Sequence, residues 1–224
     1  MKDLDTVARS GPADGERARE LQLAAAELFF TKGYEATTIR EIAQALGIKS
    51  ASIYYHWESK EEILFDLIRS TMEQLVDGAR TVLDEEASPD RRLAGLVVHH
   101  VIIHALRPKE TTLGESELRS LKGKRLERAL TMRDDYEGLV LGVLEEGARM
   151  GIFSSLDLKL SAYAIISQCT NVGIWYRDGG RLSLGEIAAV YANFALRIVG
   201  GPAVESATIA RLAAAAKAFH EEWR

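Results

Sequence analysis

Residues 37–60 read TTIREIAQALGIKSASIYYHWESK, and this stretch decides the fold. Ile39, Ile42, Ala43 and Leu46 recur at the i, i+3, i+4, i+7 spacing of one buried helix face. Thr38 stands before that run as a cap, and Glu41 three residues later completes a capping-box pattern. Gly47 tolerates the left-handed turn that stops the helix. After Ile48 and Lys49, Ser50 can cap a second short helix running to about Trp57. Two short helices about a glycine-containing turn form a helix-turn-helix, whose second helix can enter a DNA major groove.

The second helix separates a DNA reader from a structural hairpin. SASIYYHW begins with small residues, so its N-terminus can approach base edges. Ser50, Ser52, Tyr54, Tyr55 and His56 offer hydroxyls and an imidazole suited to phosphate oxygens and base edges. Ile53 and Trp57, four apart, anchor the helix inward. The geometry alone leaves open a plain helical hairpin with an aromatic flank.

The segment from about Leu21 to Leu67 resembles the DNA-binding domain of the TetR-like bacterial repressors. The matching marks are AAAELFFTKGYEATTIREIA and ALGIKSASIYYHWESKEEIL, with their glycine, tyrosine-histidine and serine-lysine positions. The resemblance implies an all-α homodimer in which a DNA reader is joined to a divergent ligand-binding domain. It also implies repression of transcription until a small molecule releases the protein from its operator. By that resemblance Arg40, Ser50, Ala51 and Tyr54 face base edges, while Thr38, Lys49, Ser52, Tyr55, His56 and Lys60 hold phosphates. Trp57 departs from the family, which more often has phenylalanine or valine there.

Composition is that of an ordinary globular chain: 224 residues, 47% hydrophobic, 27% charged. No apolar run is long enough for a membrane span, and the N-terminus lacks the apolar core of a secretory signal. The single cysteine, Cys169, rules out an intramolecular disulfide framework and points to a reducing cytoplasm. Net charge is −5, and residues 1–80 carry 10 Lys/Arg against 14 Asp/Glu. That balance argues weakly against DNA. However, Arg40, Lys49, His56 and Lys60 all lie within the reader stretch, and the local field matters more than the sum.

Three regions are expected: a flexible arm over 1–14, the helix-turn-helix domain over 15–60, and a helical ligand-binding and dimerisation domain over 61–224. The first helix, Gly15 to Lys32, buries Leu21, Ala24, Ala25, Leu28 and Phe29. Its Arg17 and Arg19 suit either phosphate or solvent. From Ser59 to about Glu86 one helix keeps its apolar period, which makes it a lever between reader and effector domain; Gly78 is a candidate bend. A helix from Pro89 to about Ala105 is apolar almost all round and should lie centrally. Further helices are expected at about 125–150, 158–176, 184–199 and 204–223.

LSAYAIISQCTNVGIWY and SLGEIAAVYANFALRIVGG are apolar on more than one face, so they form either an internal core or a dimer seam. The resemblance favours the seam, with Ala188, Ala189, Tyr191, Ala192, Phe194 and Ala195 as its small and aromatic residues. Chemistry is sparse: the chain has no phosphate loop, HExxH or CxxC, and Cys169 reads more simply as a buried thiol than as a nucleophile. No cofactor is implied and no catalytic residue stands out.

His100 and His104 share a helix face and suit a metal, a pocket or a core. The loose resemblance of the C-terminal half is to regulators answering acyl-chain or acyl-CoA-like lipids and other hydrophobic metabolites. A cavity lined by His100, His104, Tyr136, Gln168, Asn171 and Trp175 would hold an apolar molecule with one polar group. Gln168, Asn171 and Trp175 equally suit a dimer contact. Two functions stand: a ligand-released repressor, or a helical binding protein or enzyme whose helix-turn-helix is scaffold only.

Overall fold

The computed structural model describes residues 12–222, and all regular structure among them is helical. The chain forms α1 (Pro12–Lys32), α2 (Ile39–Ala45), α3 (Ser50–His56), α4 (Lys60–Glu85), α5 (Pro89–Leu106) and α6 (Pro108–Ser116). A 3-10 turn, Leu118–Ser120, leads to α7 (Gly123–Arg149), α8 (Leu158–Thr170), α9 (Val172–Trp175), α10 (Leu184–Ile198) and α11 (Ser206–Glu222). Most of the expected arm lies outside the described residues, and α1 begins at Pro12 rather than Gly15. Pro12, Pro89 and Pro108 each open a helix, where the missing N–H is not needed.

Two compact units meet between Leu67 and Ile68, inside α4 and beyond the boundary expected near residue 60. In the first unit Leu21, Ala25 and Phe29 of α1 are buried, with Ile42 and Ala43 of α2, Ile53 of α3, and Ile63 and Leu64 of α4. The capping box of α2 is present, joining Thr38 and Glu41 in both directions. Ser59 caps α4 through its hydroxyl, which accepts from the Glu62 N–H at 3.1 Å. One cap differs from expectation: Ser50 is the first residue of α3, Lys49 is its N-cap, and no side chain caps that end.

In the second unit α5 is the central element, buried from Leu93 to Ala105 without a break. It packs against α7, α8, α10 and α11. The helix expected over 158–176 is interrupted at Asn171, which ends α8. There the Asn171 side chain donates to the Ser167 carbonyl at 2.8 Å, a local bond of the kind that competes with helix continuation. Gly173 then brings the backbone against α5, where a Cβ would lie 3.0 Å from the His104 carbonyl oxygen.

Two expectations about this unit change. Ala188, Ala192 and Ala195 are fully buried within the protomer's own core, so they are not available to a seam. The outward stripe of α10 is Val190, Phe194 and Ile198, spaced i, i+4, i+8 and 39–45% exposed. At Gly78 α4 continues as one unbroken helix. A Cβ there would sit 1.8 Å from the His99 ring, so the glycine makes room for that imidazole. Helix propensity alone favours Gly78→Ala by about 1 kcal/mol. The clash with His99 should reverse the sign and destabilise by roughly 1–3 kcal/mol in urea melts. A more stable variant would show that the ring moves aside freely.

Candidate DNA-reading surface and effector cavity

Within the first unit, Ile53 and Trp57 turn α3 inward and are 0% and 4% exposed. The Trp57 indole N–H donates to Asp66 Oδ2 at 2.6 Å, which satisfies the polar edge that this larger residue brings. With that face fixed, Ala51, Ser52, Tyr54 and Tyr55 point to solvent, and Tyr55 is 76% exposed. Ser50 and His56 are half-buried, and the His56 ring packs edge-on to Tyr55. Arg40 and Lys49 are exposed, and among the described residues their side chains make no hydrogen bond or ion pair, so both cations are free for an anion. The surface can therefore present hydroxyls to base edges and charge to phosphate.

Thr38 and Lys60 are placed differently from the rest. The Thr38 hydroxyl is engaged with Glu41. Glu41 is held to a pKa of about 2 by Lys32, with Thr38 adding to the effect. The Lys60 ammonium donates to the carbonyls of Tyr34 (2.8 Å) and Thr37 (3.0 Å) and lies 4.3 Å from the Tyr34 ring centre. It ties down the α1–α2 turn, a contact that the phosphate expectation did not foresee.

The second unit holds a cavity of about 480 Å³ walled by α4 to α9, within the ~300–1,000 Å³ range of small-molecule sites. His100, His104, Tyr136 and Asn171 line it together, joined by Ile68, Met72 and Leu75 of α4. Gln168 and Trp175 are not among its lining residues. Trp175 is half-exposed and stacks near Tyr191. Trp175 lies past the break at Asn171, which takes it off the face that helical spacing assigned it, whereas Gln168 stands before the break on α8.

The two histidines of the cavity are buried, hydrogen-bonded and neutral. His100 Nδ1 meets the Tyr136 hydroxyl at 2.8 Å and Nε2 meets Thr170 Oγ1 at 3.1 Å. His104 Nδ1 lies 3.0 Å from the His100 carbonyl, and the two rings stack at 4.3 Å. Burial pushes the His100 pKa well below its usual value and that of His104 to about 4. His99 faces away, bonded to the Gln74 carbonyl and stacked on His220. Among the described residues no three His, Cys, Asp or Glu side chains converge on a metal position. Cys169 is buried, and burial pushes its thiol pKa up, so it stays protonated and unreactive. Spacing within one helix could not reveal Thr170, which meets His100 across 70 positions; the hint was a buried histidine's need for two partners.

Comparison with known proteins agrees with both halves. Residues 23–67 match the family of bacterial regulatory proteins, tetR family, and residues 86–199 match the tetracyclin repressor-like C-terminal domain. The HTH-type transcriptional repressor KstR2 of Mycobacterium tuberculosis is 32% identical over 86% of this chain and 96% of its own length. Its solved structure, described as a ketosteroid transcriptional regulator, superposes with a TM-score of 0.74 at 29% identity, covering 84% of this chain and 96% of that one. A tetR-family regulatory protein from Rhodococcus RHA1 reaches a TM-score of 0.79 at 29% identity, covering 86% of this chain and all of that one. The fatty acid metabolism regulator protein of Bacillus subtilis is 26% identical over 67% of this chain and 79% of its own length. With a reader matched by residues 23–67, an effector domain matched by residues 86–199, and a repressor similar along nearly its whole length, this chain belongs to the TetR family of bacterial transcriptional regulators.

Proposed function

We propose that the protein is a homodimeric repressor that binds a palindromic operator and is released by a small hydrophobic molecule held in the α4–α9 cavity. The observation that carries this is the solvent-facing set Arg40, Ser52, Tyr54 and Tyr55, held outward by the buried Ile53 and Trp57. Two half-sites one helical turn apart would each receive one α3. The work is done in the cytoplasm, and no chemical step is involved. Among the described residues no helix is long and apolar enough to cross a membrane. The effector class is supported by the apolar wall of the cavity and by relatives named for ketosteroid and fatty acid regulation. An acyl-chain or alicyclic molecule fits both.

Release works through α4, which belongs to the reader's core at Ile63 and Leu64 and to the cavity wall at Ile68, Met72 and Leu75. An effector that displaces this helix shifts the reader's geometry. Effector and operator must then weaken each other's binding by the same factor, commonly about 5–150-fold.

Fluorescence anisotropy with DNA from the gene's own upstream region tests the assignment. Arg40→Ala or Tyr54→Ala should cost ~1–3 kcal/mol of specific binding and relax base preference. Lys49→Ala should instead weaken all sequences alike and make the salt slope shallower by about one unit. Unchanged operator affinity in both the Arg40 and Tyr54 variants would move the recognition surface elsewhere.

A further inference from the structure

The buried end of the cavity is formed by His100, His104, Thr111 and Tyr136, which are 3%, 6%, 4% and 4% exposed. Their protons can be assigned, because a carbonyl oxygen only accepts. His104 Nδ1 faces the His100 carbonyl, so it carries the proton. The ring is neutral at pH 7, since burial holds its pKa near 4. Its Nε2 is therefore a bare lone pair, with no hydrogen-bond partner among the described residues.

The Thr170 hydroxyl donates to the Ile166 carbonyl at 3.0 Å, so it must accept from His100 Nε2–H. His100 Nδ1 is left as an acceptor for the Tyr136 O–H, whose remaining lone pairs stay open. The Thr111 hydroxyl donates to the Arg107 carbonyl at 2.9 Å, which leaves its oxygen as an acceptor too. Every donor at this end is engaged, and what it offers a ligand is acceptors. Arg133, the cation among the described lining residues, is paired with Glu115 at 3.1 Å, and Asp134 and Glu137 also line the wall. An anion finds no unpaired positive group there.

Taking this cavity as the effector site, we propose that its buried end recognises a hydroxyl group on an otherwise apolar molecule and disfavours a carboxylate or an ether oxygen. The hydroxyl donates to His104 Nε2, and the carbon skeleton lies against Ile68, Met72, Leu75 and Ile166. A carboxylate would set its lone pairs against those of the site with no proton between them, leaving buried acceptors unpaired on both sides.

Isothermal titration of the full chain at neutral pH with dodecanol, dodecanoate and methyl undecyl ether tests this. The alcohol and the ether are isomers that differ in the donor. Dodecanol should bind at least about tenfold more tightly than either of the others, as expected when a site's polar group meets its partner. His104→Phe keeps a ring of similar size and should erase the alcohol's advantage over the ether. The wild-type comparison stands even if that variant folds poorly. Equal or tighter binding of the ether or the carboxylate, no binding of any probe, or a preference that survives His104→Phe would each overturn the proposal. Operator affinity measured on the same preparation keeps the two readings apart. Protein that binds its operator but ranks the probes otherwise loses only the hydroxyl assignment, and protein that ranks them as stated yet ignores DNA loses the repressor reading.

Discussion

Phe194→Glu combined with Ile198→Glu should turn the dimer into a folded monomer that has lost its operator. Both side chains lie on the outward stripe of α10 with Val190, beside the half-exposed Trp175 and Tyr191. Large apolar side chains in a row on a soluble surface are the usual mark of a docking face. Charge there should leave the protomer intact and make association costly. Because a palindromic site is held by two linked readers, losing one should reduce operator affinity by two or more orders of magnitude, on the order of ~100-fold. Sedimentation reads the first effect and anisotropy the second. Ala192→Asp supplies the contrast: Ala192 is fully buried within its own protomer, so that change should lower thermal stability outright. A charged pair at 194 and 198 that still sediments as a dimer would place the seam elsewhere.

Acid should unfold the effector domain early, through its histidines. Burial lowers the pKa of His99 to about 3 and those of His104 and His220 to about 4, and it holds His100 well below 6.5. Released into the unfolded chain, each regains its ordinary value of 6.5 and binds a proton that the folded state refuses. The unfolded state therefore holds more protons below pH 6.5, and stability falls as pH drops through that value toward 4. Each unit of depression is worth about 1.4 kcal/mol. For a chain of this size 1 kcal/mol shifts Tm by roughly 2–4 °C. The four sites together should thus lower Tm by at least about 10 °C between pH 7 and pH 5. His220→Leu should flatten that slope and raise stability at neutral pH, because neither ring nitrogen of His220 has a hydrogen-bond partner to lose. A flat pH profile in the wild type would show that the imidazoles reach solvent.

The reader was legible in the sequence because its signals are local. Thr38, Glu41 and Gly47 mark ends within a few residues of one another, and Ile53 with Trp57 fixes which way α3 faces. The central place of α5 was equally plain, since a helix apolar all round has to be surrounded. The effector half was only partly legible, because its outcome depends on which neighbour each face meets. Helical spacing joined Gln168, Asn171 and Trp175, yet α8 ends at Asn171 and Trp175 lies beyond it on α9. Small residues on α10 suited a seam and a tight core equally, and proximity to α5 decided for the core. Lys60 carried the charge a phosphate would want, but three carbonyls left at the α1–α2 turn lay within its reach.

The fit of His99 over Gly78 ties two positions of the chain into one heritable unit. Neither can drift alone: any side chain at 78 meets the imidazole, and any smaller residue at 99 abandons both a hole above α4 and the bond to the Gln74 carbonyl. Lineages that descend from this protein should keep the pair or exchange both members in close succession. The swap should bring a small apolar residue at 99 whenever alanine or serine appears at 78. Such a correlation, counted across many descendants, would record the contact between α4 and α5 as a trace left by mutation and selection.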